Sequence, residues 1–486
     1  MHSLRLSGET LLINMKQISE RVQLLNDKSA NNDGEYILYW MQMFKRTTHN
    51  HALKFAIEQA NERRLPLVVY EGLKFYYPWA SDRFHTYILE GVEEKRREFK
   101  KLGIKYVFYL QKNDESPKQT VAKIAEDAAL IVTDDFPCFI IPDHNKAIVR
   151  RAAIPVYAVD SNGVIPMSRF EKEEFAARTI RPKIKQLLPD YFVNFKEEKI
   201  VIKAGNLKVN CPDTEVNKQN IAELVKQCAI DHSVKPSGIY HGGTANGRKR
   251  LKNFVEKILP DYEISRNKPD VDGSSRLSSY LHFGFLSPLE IAFAVQDADA
   301  PKAAKEAYLE ELIVRRELSY NFTLHNPKYD SLKALPDWVR KTMREHTRDE
   351  RPEIFSLEEL EFGKTYDELW NASQREMVLT GEMHNYVRML WGKLIIQWTR
   401  NYEEAFAVLE HLNNKYCLDG RNPNSYAGIL WCFGKHDRPW MERPIFGKMR
   451  YMTTASTGKK FDSKKYIEWT KTLKENPRLP ETIKNN

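Results

Sequence analysis

Cysteine is scarce: five residues in 486, standing apart at Cys138, Cys211, Cys228, Cys417 and Cys432. An odd, scattered set gives no metal-binding spacing and no disulfide framework, which points to a reduced, intracellular protein. Long apolar runs are missing too. Runs such as "LPLVVY" at 65–70 are far too short to span a bilayer. The N-terminal "MHSLRLSGETLLINMKQ" has a short apolar patch but no signal-peptide core or cleavage site. No GxGxxG, P-loop or nucleophile elbow occurs. Internal repeats and low-complexity segments are absent.

What is present describes a globular chain. Hydrophobic residues make up 42% and charged residues 29%, ordinary values for a folded protein. Its length exceeds what one core usually serves, so two or three domains are expected. The net charge of +9 is moderate, but between His436 and Lys465 eight Lys/Arg face three Asp/Glu. Such a stretch suits a polyanion such as nucleic acid, although any single lysine in it reads first as solvated surface.

The first third alternates strands and helices. "YILYWM" (36–41), "LPLVVYEG" (65–72), "IKYVFYL" (104–110) and "AALIVTDD" (128–135) are short β-rich runs. Helical patterns fill 50–64 and 81–103, the second with a Ser81 cap and a Lys-Leu-Gly stop. "AIPVYAVDSNGVIP" (153–166) adds a further strand and a turn. Strands separated by helices imply a parallel sheet, with a ligand crevice at its carboxyl edge. From about Gly238 the pattern is almost purely helical, over 248–262, 303–322 and 383–412, the last breaking near Asn401. The expected organisation is an N-terminal extension (1–34), an α/β parallel-sheet domain (35–180), a connector (181–237), an all-α domain (238–475) and a tail (476–486).

Three constellations could carry chemistry. In "HNYVRMLWGKLIIQW", Arg388, Trp391, Ile395 and Trp398 fall on one helix face. A Trp/Ile stripe is ordinarily core, but a guanidinium within it needs an anionic partner. Asp419, in "LDGRNPN", is available. In "EELIVRRELSYNF", Glu310 and Glu311 precede Arg315 and Arg316 at spacings that ordinarily give surface ion pairs. The alternative is one carboxylate turned towards a polar substrate, and spacing does not decide between them. In "DGSSRLSSYLHFG", hydroxyls near a helix start form either a simple N-cap or a phosphate cradle.

These segments, with "KHDRPWMERPIFGKMRYM" and the N-terminal "YWMQ…NHALKFAI", run in an order that resembles the class II cyclobutane-pyrimidine-dimer photolyases over roughly residues 35–470. The resemblance implies an antenna domain joined to a helical domain that holds FAD in a U shape, active in its reduced anionic form. It implies light-driven electron transfer to a pyrimidine dimer flipped out of UV-damaged DNA, by a monomer working with DNA in a bacterial cytoplasm or a nucleus. Flipping costs least at a damaged, poorly stacked pair. An antenna chromophore such as a deazaflavin, or none, is implied for the N-terminal domain.

Carried over by motif, Ser275, Arg276, Leu277 and Ser278, with Tyr262 before them, match the loop at the FAD phosphates. Arg388 and Asp419 match the salt-bridged pair beside the isoalloxazine, Asn413 faces its reactive nitrogen, and Asn424 belongs to the same wall. Glu311 matches the glutamate at the dimer's carbonyl edge, a role for which burial would favour the protonated form. Trp431 and Met389 match the dimer pocket. Asp437, Arg438 and Arg450 match the DNA-facing rim. Trp391, Trp370 and Trp398 match an electron-transfer chain that photoreduces FAD. Two departures stand out: Ser279 replaces the proline of the family's "SPYLHFG", and the segment from Trp431 to Asp437 is one residue short, a gap placed at 432–435. The rival readings are a cryptochrome-type photoreceptor, a non-catalytic binder of damaged DNA and a (6-4) photoproduct repair enzyme. Glu311, Met389, Trp431 and the basic rim favour dimer repair over the photoreceptor; Arg388, Asp419 and the tryptophan set would have no purpose in a mere binder, and the class II motifs count against the (6-4) enzyme.

Overall fold

A computed structural model describes residues 19–482. Residues 1–18 of the expected N-terminal extension, where the reading of no signal peptide falls, and 483–486 of the expected tail lie outside it. Six strands form one sheet: β1 (Val22–Leu24), β2 (Tyr36–Trp40), β3 (Leu67–Lys74), β4 (Lys105–Gln111), β5 (Ala128–Asp134) and β6 (Val156–Val159), in the order β1-β6-β5-β2-β3-β4. All neighbours are parallel except β1, which runs antiparallel to β6. β2 and β5 are buried at every position, as expected where helices cover both faces. The sequence reading left β1 in the extension. It is three residues of mixed polarity whose pairing with β6 spans more than a hundred residues, so no local pattern announces it.

The helices needed below are α1 (His51–Arg63), α2 (Asp82–Leu89), α3 (Val92–Leu102), α4 (Ala177–Tyr191), α5 (Ser278–His282), α6 (Lys302–Leu309), α7 (Arg316–His325), α8 (Glu368–Thr380), α9 (Asn385–Trp398), α10 (Tyr402–Tyr416) and α11 (Pro423–Cys432). The single helix expected over 81–103 is two, parted at Glu90–Gly91. A side chain at Gly91 would strike Phe285 at 2.5 Å, so the break lets α3 approach the helical half. Ser81 stands at the cap position but makes no side-chain cap bond. The break near Asn401 is as expected, and Asn401 caps α10 through Glu404 N. α4 runs across the expected boundary at 180.

The two halves are locked together. One hydrophobic cluster runs from the sheet through Tyr262, Tyr280, Phe285 and Leu289 to Leu318, so residues 244–318 share the core of the α/β part. The remaining helices, α8 to α11 among them, pack around a second cluster with Trp370, Trp391 and Trp398. The expected division at 237/238 therefore does not separate two cores. Buried arginines add ties. Arg83 on α2 donates to the carbonyls of Met377, Val378 and Tyr416, at the ends of α8 and α10, where unpaired carbonyls attract a cation. Arg316 on α7 donates to Asn162 O at 2.6 Å in the loop after β6.

Candidate active site

The motifs of the helical half meet in one cavity of about 370 Å³. Its first wall is the 272–278 loop. Arg250 fixes that loop by a bidentate pair with Asp272 (2.7 and 2.8 Å) and by donating to the carbonyls of Ser274 and Ser275. Ser275, Arg276, Leu277 and Ser278 line the cavity, with Tyr262 beside them. Arg276 has a positive φ of 54°. Its guanidinium turns into a carboxylate cluster, 3.1 Å from Glu376, 3.4 Å from Glu382 and 3.7 Å from Asp272. Burial opposes its charge, but Tyr240 and these acids hold its pKa above the ordinary value.

α9 and α11 make the opposite wall, and Gly392 is what brings them together: a Cβ there would lie 2.5 Å from Cys432 Sγ. α11 starts on Asn422, whose side chain accepts from Asn424 N, with Pro423 at the first helical position. This places Asn424 in the lining. Arg388 meets Asp419 at 3.4 Å, and donates to Met383 O at 3.1 Å. Burial works against the Arg388 charge, but Asp419, next in strength, keeps its pKa raised. The half-buried guanidinium thus has the partner that the sequence demanded. Asn413 gives its amide N–H groups to Ser425 Oγ and Asn414 Oδ1, which leaves its carbonyl oxygen as an acceptor for a ligand.

Glu311 lines the cavity from a π-helical turn, Glu310–Arg315, between α6 and α7. Such turns recur at functional sites. The Glu311 side chain is 41% exposed and pairs with Arg266 at 3.1 Å. Glu310 takes Arg181 at 2.6 Å and Arg315 at 3.3 Å. The wider π-helical turn shifts which face each residue occupies from that of an ordinary α-helix.

Trp391 lines the cavity, while Trp370 and Trp398 stand behind it, fully buried. Trp370 donates its indole N–H to Trp391 O at 3.0 Å and meets Trp398 edge to face at 5.5 Å. Met389 reaches the site through Cys432, sulfur to sulfur at 3.8 Å. Trp431 stacks edge-on against His436 at 5.7 Å with Arg315 over its ring. Beyond it, Arg438 and Arg450 sit over Trp440 at 5.0 and 5.2 Å, and Asp437 accepts from the Trp440 indole at 3.3 Å. This outer group is an exposed basic-aromatic surface, with Met441 81% exposed.

Sequence reasoning passed over cavity residues that its own motifs contain. His384, in "MHNYV", accepts from Tyr386 N through Nδ1. Burial first, then Arg276 and Arg388, keep its pKa well below the ordinary value, so it is neutral with its hydrogen on Nε2. That donor is buried without a partner, as are Arg388 Nε and Arg276 Nη2. Unpaired buried donors are costly unless a ligand takes them. Together with the apolar Trp391, Leu409 and Ile429, they fit a cofactor that is flat at one end and anionic at the other, as FAD is.

A second cavity, about 400 Å³, lies at the carboxyl edge of the sheet, as expected for parallel strands. Trp40, Tyr70, Tyr109, Phe136 and Phe139 line it with Lys45, Lys74, Arg151 and Arg421, and no carboxylate lines it among the described residues. Arg421, a non-glycine residue at φ 60°, packs over Phe84 at 3.7 Å. The two cavities share short pieces of chain: Asp419 and Asn424 face one and Arg421 the other, while α5 gives Ser278 and Leu281 to one and His282 to the other. The five cysteines are free, no cluster of metal-binding type occurs among the described residues, and none of their helices is long and apolar enough to cross a membrane.

An α/β sheet joined to a helical domain with a deep central cavity is the architecture of the photolyase/cryptochrome class. Over 92% of the chain it matches the class III photolyase of Agrobacterium tumefaciens (87% of that chain, TM-score 0.65, 17% identity). Over 91% it matches the cryptochrome of Synechocystis sp. PCC6803 (89% of that chain, TM-score 0.67, 18% identity). These likenesses define the fold and do not separate repair from signalling. Sequence comparison goes further. The DNA photolyase family description matches residues 37–199. The deoxyribodipyrimidine photo-lyase of Methanothermobacter thermautotrophicus is 39% identical over 93% of this chain and 98% of its own length. The enzymes of that name from Arabidopsis thaliana and Potorous tridactylus are 38% and 35% identical over 90% and 91% of this chain, and 89% and 83% of theirs. The chain belongs to the DNA photolyase family.

Proposed function

We propose that this protein is a deoxyribodipyrimidine photo-lyase, a lyase that repairs cyclobutane pyrimidine dimers in UV-damaged DNA by light-driven electron transfer. The observation that carries the reading is the convergence, in one cavity, of the Arg388–Asp419 pair, Asn413, the 275–278 loop, Glu311 and Trp391. Reduced, anionic FAD, when bound, would supply the light-driven one-electron chemistry that splits the dimer's ring. The chain's own work is binding, orientation and charge stabilisation.

Arg388, Asp419 and Asn424 hold the ring system, and Arg388 places a fixed positive charge beside an anionic ring. Asn413, with its N–H groups engaged, offers an acceptor to the ring nitrogen that carries hydrogen in the reduced form. Tyr262 and the 275–278 loop hold the phosphate end, where His384 Nε2 and Arg276 Nη2 are the unpaired donors. Arg276 serves mainly through its loop, since three carboxylates already surround its charge. Glu311 meets the dimer's carbonyl edge, and must exchange Arg266 for the dimer to do so. Met389 and Trp431 wall the dimer pocket. Asp437, Arg438 and Arg450 shape the rim that meets DNA, so affinity should fall steeply with salt. Trp391, Trp370 and Trp398, in that order from the cavity, relay electrons to an oxidised cofactor. The carboxylate-free aromatic cavity at the sheet edge would take an antenna chromophore that is flat and acidic, a description a deazaflavin meets. The reading assigns one chain to each lesion, acting inside the cell as a monomer. In this reading the α/β antenna unit takes 35–180 with β1 added, and the FAD-binding unit 238–475 packs its first helices on the antenna unit's core.

The test is to illuminate the purified, reduced protein with dimer-containing DNA and measure dimers remaining. The expected result is a light-dependent loss. No loss, with FAD bound and reduced, would refute the assignment. The photoreceptor reading shares this fold, but nothing at the site favours it.

A further inference from the structure

The three tryptophans form a line that stops short of solvent. Only Trp391 lines the cavity, and Trp370 and Trp398 have no exposure at all. An electron vacancy moved along the line would come to rest on Trp398, where no solution reductant can reach it. It would then recombine with the electron it left. A useful relay needs an oxidisable group that touches Trp398 and also meets water.

Among the described residues, three rings touch Trp398. Trp370 is the inward neighbour. Phe355 packs at 5.2 Å, but a phenyl ring without a hydroxyl is too hard to oxidise. The third is Tyr366, with ring centroids 5.5 Å apart, 62% exposed. Its oxygen accepts the Trp398 indole N–H at 3.2 Å, which leaves its own phenolic hydrogen to water. Tyr366 sits in the same turn that starts α8, where Asp367 caps Trp370 N at 2.9 Å. One short stretch, "TYDELW", thus fixes both the middle of the line and its outer neighbour. Tyr366 was not singled out in the sequence, because its partner lies 32 residues away.

We propose that Tyr366 is the surface terminus of the tryptophan line, a fourth redox residue; this rests on the relay role given above to the three tryptophans. In the step, one electron passes from the Tyr366 ring to the oxidised indole of Trp398, which returns to its neutral form. The phenolic proton of Tyr366 leaves to water, and a neutral tyrosyl radical remains at the surface. A thiol in solution then gives it a hydrogen atom and restores the phenol. Loss of the proton to bulk water makes return of the electron inward slow, and that is the gain over a line ending at Trp398.

The alternative role for Tyr366 is packing, as a lid that keeps Trp398 dry. Tyr366→Phe separates the two, since the ring stays and the hydroxyl goes. Protein loaded with oxidised FAD is flashed without thiol and followed by transient absorption and electron paramagnetic resonance, with FAD content and melting temperature as folding controls. The native chain should show a long-lived tyrosyl signal. Tyr366→Phe should show a tryptophanyl signal instead, with a lifetime shorter on the order of tenfold, the change that about 1.4 kcal/mol of lost stabilisation produces. An unchanged radical type and lifetime in Tyr366→Phe overturns the proposal. Trp391→Phe tells the two levels apart: it should abolish every amino-acid radical. If it does so while Tyr366→Phe changes nothing, the line stands without its tyrosine. If radicals persist in Trp391→Phe, the relay itself and this terminus with it are wrong.

Discussion

Two cavities of nearly equal size, about 400 and about 370 Å³, lie on either side of one short stretch of chain, and they differ in how their charge is arranged. The sheet-edge cavity carries Lys45, Lys74, Arg151 and Arg421 on aromatic walls, with no carboxylate lining it among the described residues. The cavity between the helices sets Arg266, Arg276, Arg316 and Arg388 against Glu311, Glu382 and Asp419. A site with one sign of charge can only attract an anion. A site with both signs can hold a cofactor whose charge changes, because each added or removed charge finds a fixed opposite nearby. The difference separates a slot for an absorbing group from a site for electron transfer.

The sharpest break in that comparison is Asp419→Ala. It leaves the Arg388 guanidinium half-buried without its carboxylate, at a cost on the order of 3 kcal/mol. FAD should be lost on gel filtration while a ligand in the sheet-edge cavity is retained, and the absorbance of the eluted protein reads both. Gly392→Ala comes next. Its Cβ would fall 2.5 Å from Cys432 Sγ, so α9 and α11 must part at a cost of about 1–3 kcal/mol. A lower melting temperature and weaker FAD retention are expected, and an unchanged FAD content would show that the wall yields without harm.

A third variant concerns pH. Burial holds the His436 pKa down, at about 4, against an ordinary value near 6.5. The unfolded chain therefore takes this proton first as pH falls. Stability present above about pH 6.5 drains away as pH drops through the folded value near 4. His436→Gln should flatten the dependence of the urea midpoint on pH across this window by about one proton. A slope equal to that of the native chain would show that His436 charges without resistance. His436 packs on Trp431, so acid should also loosen the lesion side of the helical cavity. The smallest effect belongs to the other cavity. Lys74→Ala should weaken an acidic antenna ligand by about 1–2 kcal/mol and leave FAD content as it was, measured by titrating the chromophore into the stripped protein. A parallel loss of FAD would show that the cavities are not independent.

Much of the frame was legible. The apolar β-rich runs named five strands, because fully buried parallel strands leave an unbroken apolar signature. The break between two helices near Asn401 was legible as well. Local sequence failed where structure depends on distant partners or on an altered period. β1 is too short and mixed to read alone. The helix expected over 81–103 breaks where Phe285 must be accommodated. Around Glu311, six residues of π-helix undo the 3.6-residue count, which is why the spacing of Glu310, Glu311, Arg315 and Arg316 could not say which acid turned inward. Arg421 and His282 lie inside the motifs "LDGRNPN" and "DGSSRLSSYLHFG", yet nothing local shows that they face a different cavity from their neighbours.

The sequence by itself determined five of the six strands and most of the long helices, and that a guanidinium at Arg388 within an apolar stripe needs an anion. Those are consequences of periodicity and of the cost of burying charge, and both are local. Through its ordered motifs it also determined the family. Only the tertiary structure decided that Asp419 is that anion, that Arg266 holds Glu311, and that the tryptophans run Trp391, Trp370, Trp398 and then to Tyr366. Residues this far apart in the chain meet only when packing closes the core, and their distances are set there.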